Sequence, residues 1–283
     1  IHANNILDGT VGSLNPFSTQ QQSELKQFWE KAKPGDKLGL LTSIYKSSAG
    51  NANASRDMIN SIAGESGSYR LSASLNNRGL QDIAGQIVTG QDLIEKGWVK
   101  VDESGLTKHT ETYLAGITSP GKPDFQIYLD SIKANYAYLV QKSEKVTDTK
   151  GNILNKTIDE ELFNRAAKNV TGGKFTTGGF FGSKSVVLRP HTVGEKSFRE
   201  QLETFNSSIA RNYGGSDKDF FLDLPLEQDP KNPYVYYFKN GTKYIMDATD
   251  KKRQTRLTFK VRWGRDGFFS RWWINVKSGW SSL

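Results

Sequence analysis

Seven apolar side chains recur at helical spacing between residues 124 and 146: Phe125, Tyr128, Leu129, Ile132, Tyr136, Leu139 and Val140. A stripe with that period must be covered along its length, so it commits this part of the chain to helices packed around a shared core. Shorter stretches of the same kind precede it. In 18-STQQQSELKQFWEKA-32, Leu25, Phe28, Trp29 and Ala32 repeat, with Ser18 or Thr19 placed to cap the start. "KPGDK" then breaks the run. Met58, Ile59 and Ile62 mark a helix from about Asn53 to Ala63, and 81-QDIAGQIVTGQDLIEKGW-98 marks another. Between these two lies the polar stretch 63-AGESGSYRLSASLNNRGLQ-81, which reads as a loop.

After residue 146 the texture changes. The segment 147–174 reads as a turn, a short helix and a glycine break, and serves as the connection between two domains. Beyond it, "FTTGGFFGSKSVVLR" is β-branched and punctuated by glycine, and "KSFREQLETFNSSIARNY" is one amphipathic helix. "YVYYFKNGTKYIMDA" predicts a hairpin turning on Asn240–Gly241. "TRLTFKVRWG" alternates Leu257, Phe259, Val261 and Trp263 with Thr258, Lys260 and Arg262, as a half-buried strand does, and "FFSRWWINV" is expected to pair with it. The fold class is therefore α+β. A mainly α domain over residues 1–150 precedes a smaller α+β domain with an antiparallel sheet over residues 151–283.

Composition removes several chemistries. The 283 residues include no cysteine, which excludes thiol nucleophiles, disulfides and thiolate metal sites. No apolar run approaches the roughly 20 residues that span a bilayer. The opening "IHANNILDGT" lacks the basic and apolar regions of a signal peptide, so export is expected either through a leader removed upstream or by another route. His2, His109 and His191 are far apart and no HExxH spacing occurs. His109 and Glu111 alternate, which on a strand would set both on one face. No G-x-S-x-G marks a nucleophile elbow, and "TGGKFTTGGFFG" lacks the lysine–hydroxyl pair of a phosphate-binding loop. No metal and no cofactor is expected.

The residue that asks for an explanation is Glu65. It follows the apolar turn of an expected helix and stands among small residues. A carboxylate so placed is either a solvated helix end or a general acid facing a groove, where desolvation lets it keep a proton. "GESGSYRLSASLNNRGLQDIAGQ" resembles the lytic transglycosylase and goose-type lysozyme superfamily, over roughly residues 20–145. In that superfamily a catalytic Glu followed by Ser ends a helix, a loop of small residues follows, and a Gly-Leu-Met-Gln element lines the cleft. Glu65 and Ser66 match the pair, Ser72, Ala73 and Ser74 the small-residue loop, and Gly79, Leu80 and Gln86 the element, here interrupted by "QDIAG". "NNRG" and "GQDLIEKG" also resemble segments of phage and secreted lysozyme-like modules, and "NYAYLVQK" resembles the closing aromatic helix. The resemblance implies cleavage of the glycan strand of peptidoglycan. Glu65 is the acid, with Asp82 or Asp92 as a second carboxylate, or alone in a transglycosylase mechanism. Glu111 is a weaker candidate for that second role. It implies glycan contacts from Ser66, Ser74, Asn77, Gln86, Tyr136 and Tyr138. Asp82 and Asp92 read equally well as helix-surface acids.

The net charge of +8 is uneven. Residues 1–174 hold 20 basic and 19 acidic side chains, whereas residues 175–283 hold 18 and 11. Trp263, Trp272, Trp273 and Trp280 lie among Arg253, Arg256, Arg262, Arg265 and Arg271. Such interleaving suits an anionic wall polymer, a membrane surface or single-stranded nucleic acid, the last less well beside a glycan-cleaving domain. It equally suits a sheet with Trp inward and Arg outward. The resulting expectation is a secreted antibacterial effector, of phage, bacteriocin or secretion-system type. It would act at the cell wall or in the periplasm of a target bacterium, with an immunity protein as partner. The competing expectation is a non-enzymatic lysozyme-like fold joined to an active C-terminal module.

Overall fold

The computed structural model describes residues 15–48, 51–143, 153–155, 157–178, 184–212, 226–229, 234–239, 242–245 and 258–263. The protein is α+β, mostly helical with small sheets. It divides into two compact units, Ile1–Leu114 with Thr118–Val170, and Ala115–Ile117 with Thr171–Leu283. The division thus falls at the end of the segment read as a connection.

The first unit begins with α1 (Thr19–Lys31). Ser18 caps it in a capping box with Gln21: each side chain accepts from the other's backbone amide. The "KPGDK" breaker turns out to open a helix that periodicity missed, α2 (Pro34–Ser47). Proline costs nothing at the first helical position, where its absent amide would have had no partner. Leu38, Leu41 and Ile44 of α2 then enter the core. Next come α3 (Ala52–Ala63), capped by Asn51, and α4 (Gly67–Asn77).

Helix α4 corrects the expected loop. Its serines mislead because a serine hydroxyl competes with the backbone for hydrogen bonds in isolation. Here Ser68 and Ser72 are fully buried, and the Ser72 hydroxyl donates to the Ser68 carbonyl at 2.8 Å. Small satisfied side chains let α4 pack closely on α5 (Gln81–Glu95) and α7 (Pro123–Lys142). Between those two the approach is closer still. A Cβ at Gly90 of α5 would lie 1.7 Å from the Ala134 carbonyl oxygen of α7. Only glycine fits there.

Strand β1 (Val99–Val101) and helix α6 (Glu103–Leu114) follow α5. His109 and Glu111 therefore lie on a helix, two residues apart and on different faces, so the shared face that a strand would have given them does not arise. His109 Nδ1 is 2.8 Å from the Gly105 carbonyl oxygen, and its ring meets Phe163 edge-on. Strand β2 (Ile153–Asn155) pairs in parallel with β1, and α8 (Glu160–Thr171) completes the unit. The stripe on α7 behaves as its period demands: Phe125, Ile132, Tyr136, Leu139 and Val140 are buried. One core takes in side chains from α1 through α8, from Trp29 to Val170. Full burial of each such side chain is worth about 1.5–3 kcal/mol.

In the second unit β3 (Lys174–Gly178) and β4 (Lys184–Leu188) form an antiparallel pair, and α9 (Glu195–Asn212) follows. Phe175, Val187, Phe198, Leu202, Leu226 and Tyr236 gather into a small core, with the Phe175 and Phe198 rings 4.5 Å apart. The buried Arg189 donates from Nη1 to the Val193 carbonyl at 2.9 Å. Strands β5 (Leu226–Gln228), β6 (Val235–Lys239), β7 (Thr242–Ile245) and β8 (Thr258–Trp263) form a sheet in the order β5-β6-β8-β7. The hairpin expected about Asn240–Gly241 is not formed, because β8 lies between β6 and β7. β8 runs parallel to β6 and antiparallel to β7, so the sheet is mixed rather than purely antiparallel. "FFSRWWINV" and the tryptophans after Trp263 lie outside the described residues. Among the described residues no helix is long and apolar enough to cross a membrane.

Candidate functional site at the start of α4

Helix α3 ends at Gly64, whose φ of 82° turns the chain sharply out of the helix. Ser66 then caps α4, its Oγ accepting from the Ser68 amide. Glu65 is the single residue between these two caps. Its side chain is exposed, and among the described residues no group bonds or pairs with it. Gly67, next in line, packs against α7 so tightly that a Cβ would come within 2.6 Å of the Ile127 Cα. Its amide donates to Asp130 Oδ2 at 2.8 Å, and Gln126 Nε2 donates to Asp130 Oδ1 at 2.7 Å. Asp130 thereby supplies the negative charge that a helix N-terminus favours and fixes the link that carries Glu65.

Arg70 lies one turn into α4. Its Nε is buried without a hydrogen-bond partner. Burial and the neighbouring Arg56 push the guanidinium below its ordinary value, while Asp130 and Glu65 act in the opposite sense. From Ser66 a run of hydrogen bonds continues onto α5. Ser66 Oγ and Ser68 Oγ are 2.7 Å apart, Ser68 donates to Gln91 Oε1 at 3.2 Å, and Gln91 Nε2 donates to Glu95 Oε1 at 3.0 Å. The Tyr69 hydroxyl donates to the same Glu95 oxygen at 2.8 Å. Burial and the adjacent carboxylate push that phenol upward, so it remains a donor.

The other expected site residues are scattered. Asp92 is 4% exposed, with Lys37 Nζ at 2.6 Å from Oδ1 and Lys96 Nζ at 2.7 Å from Oδ2. Burial pushes its carboxyl up, but hydrogen bonds and charge from the two lysines outweigh burial and hold it below the usual range. Each oxygen accepts from an ammonium and the group is buried, which closes it off from a sugar. Asp82 is exposed in the first turn of α5. It stands nine residues, about 13 Å of helix, before the Gln91 that reaches the Glu65 side of the unit. Asn77 is exposed and Ser74 half-buried, both on the last two turns of α4. Gln86 accepts from Asn135 Nδ2 at 3.2 Å and from Asn169 Nδ2 at 3.4 Å, tying α5 to α7 and α8. Tyr136 is fully buried, and its hydroxyl oxygen accepts from the Asp159 amide at 2.9 Å. That places it in the core rather than a cleft. Tyr138 is half-buried, with the Lys142 ammonium 5.8 Å from its ring centre.

Of the expected set, Glu65 and Ser66 alone are brought together. Asp130, Arg70, Ser68 and Gln91, which complete this corner, were not singled out from the sequence. Asp130 meets Gly67 across 63 positions of chain, and no local pattern encodes such a contact. Among the described residues no three His, Asp or Glu side chains gather to hold a metal ion. Compared with protein-family models, curated proteins and solved structures, the chain matches none.

Proposed function

We propose that the first unit cleaves the glycan strand of peptidoglycan with Glu65 as its acid, by the single-carboxylate, transglycosylase route. The observation that carries this reading is the placement of Glu65 between two helix caps, exposed and, among the described residues, without a hydrogen bond or ion pair, on a link fixed by Asp130. Glu65 protonates the glycosidic oxygen as the bond to the anomeric carbon breaks. It then takes a proton from the sugar's own hydroxyl, which closes onto the same carbon and leaves an anhydro end. An exposed carboxyl gains the desolvation this task needs only when substrate covers it. The two-carboxylate routes need a partner within about 5–10 Å. Asp92 is locked by two lysines and Asp82 sits at the other end of α5, so neither favours those routes.

Within the same reading the basic stretch 175–283 brings the enzyme to an anionic wall polymer, and the whole acts as a secreted antibacterial effector. The deciding experiment is muropeptide analysis of peptidoglycan treated with the wild-type chain and with Glu65→Gln. Anhydro ends released by the first and not by the second establish the route. Reducing ends assign hydrolysis instead. If neither chain cuts, the helical unit is a non-catalytic lysozyme-like fold and function moves to the C-terminal half.

A further inference from the structure

Two large apolar side chains stand out as exposed among the described residues: Phe28 and Trp98. They differ in what holds them. Phe28 lines a shallow, largely apolar groove with Leu25, Gly35, Asp36, Gly39 and Leu40. Trp98 is 53% exposed at the end of α5, yet one side of its ring is braced. Lys96 Nζ lies 5.1 Å from the ring centre and donates at 2.7 Å to Asp92. Asp92 in turn is anchored by buried Lys37, whose ammonium lies 5.1 Å over Trp29. A chain of four side chains thus steadies a ring that leaves half its surface in water.

Leaving half an indole in water forgoes part of its hydrophobic burial, and bracing it removes rotamer freedom as well. Both costs are recovered when a flat apolar partner stacks on the open side. The neighbouring groups say what kind of partner. Glu95 and Gln91, three and seven residues before Trp98, carry acceptor and donor atoms. They also end the hydrogen-bonded run that starts beside Glu65. A stacking ring within two helical turns of chain from groups with spare hydrogen-bonding capacity, the second Gln91 amide hydrogen and Glu95 Oε2, matches a sugar, whose faces are apolar and whose rim is hydroxyl.

Resting on the proposed function, we propose that Trp98 is a distal sugar-binding platform, with Gln91 and Glu95 contacting hydroxyls of the same glycan strand that reaches Glu65. The platform positions substrate and takes no part in bond cleavage. Calorimetric titration of the full chain with peptide-free glycan strands tests it, using Glu65→Gln so that the ligand survives. Adding Trp98→Ala weakens binding about ten-fold or more, while Trp98→Phe retains most of it and Phe28→Ala changes nothing. Equal binding by the Trp98→Ala chain, or no binding by the Glu65→Gln parent, overturns the platform. Cleavage is scored separately, for the wild-type chain and for Glu65→Gln. If Glu65→Gln abolishes glycan release but Trp98→Ala leaves binding unchanged, Glu65 stands and the platform falls. If Glu65→Gln still cuts while Trp98→Ala loses binding, the platform stands and the acid is elsewhere.

Discussion

The link between α3 and α4 and the last turn of α5 each present an acidic side chain within one helical unit, and they treat it in opposite ways. Glu65 stands exposed between two caps, with no hydrogen bond or ion pair among the described residues. Asp92 lies inside, shared between two ammonium groups and screened from solvent. The contrast separates two uses of a carboxylate. One faces solvent, where the proposed reading gives it a substrate to protonate. The other is part of the framework that holds α2 against α5, because a buried ion pair broken on one side leaves a stranded charge.

The largest expected effect tests the first use. Glu65→Gln lowers glycan release about 10²–10⁴-fold, the usual contribution of a general acid, and leaves thermal stability within about 0.5 kcal/mol of the parent. A variant that loses activity by unfolding would erase the contrast, so Tm is measured alongside. Asp92→Ala gives the converse pattern: about 3–5 kcal/mol lost in denaturant unfolding, because Lys37 keeps its charge in the core. Gly90→Ala separates packing from charge. The added methyl cannot coexist with the Ala134 carbonyl, and the overpacking costs about 1–3 kcal/mol or more without any change in net charge.

Acid sharpens the same comparison. The Asp92 carboxyl is held below its ordinary value in the folded chain, so the folded state binds fewer protons there than the unfolded one. Its contribution is complete above about pH 3.9, the unfolded value, and is lost as pH falls through the lower folded value. Asp92→Asn should flatten that acid limb of the stability curve. Glu65→Gln should leave the Asp92 part of that limb in place. The smallest effect belongs to the capping box of α1, where Ser18→Ala costs about 1 kcal/mol by urea unfolding.

Periodicity foretold the elements whose pattern is set by a single face meeting the core. The α7 stripe, the α1 start at Ser18 and the amphipathic α9 are of that kind. It missed α2 because Pro34 and Gly35 look like punctuation until their place at the first helical positions is known. It misread α4 because burial of Ser68 and Ser72 depends on neighbours far along the chain. Asn240 and Gly241 lie outside the described residues, and the hairpin expected about them is replaced by β8 standing between β6 and β7. For the candidate site, the position of Glu65 and Ser66 at a helix junction was legible, since it is set by adjacent caps. The supports around them were not, being contacts between α4, α5 and α7 that sequence order does not reveal. Tyr136 and Gln86 show the reverse error. Both carry polar atoms suggestive of a cleft, and the structure spends those atoms on Asp159, Asn135 and Asn169.

The parallel pairing of β1 with β2 has a consequence for how the first unit assembles. Val99 meets Ile153 only after the chain has passed through α6 and α7, so this short ribbon closes a long loop for very few hydrogen bonds. Closure of that kind is costly in chain entropy and is rewarded only when the intervening helices are already in place. The ribbon is thus a late event in folding and an early one in local opening. Amide exchange at Lys100 ahead of the buried turns of α5 and α7 is the expected signature, and equal protection there would assign β1 to the folding nucleus instead.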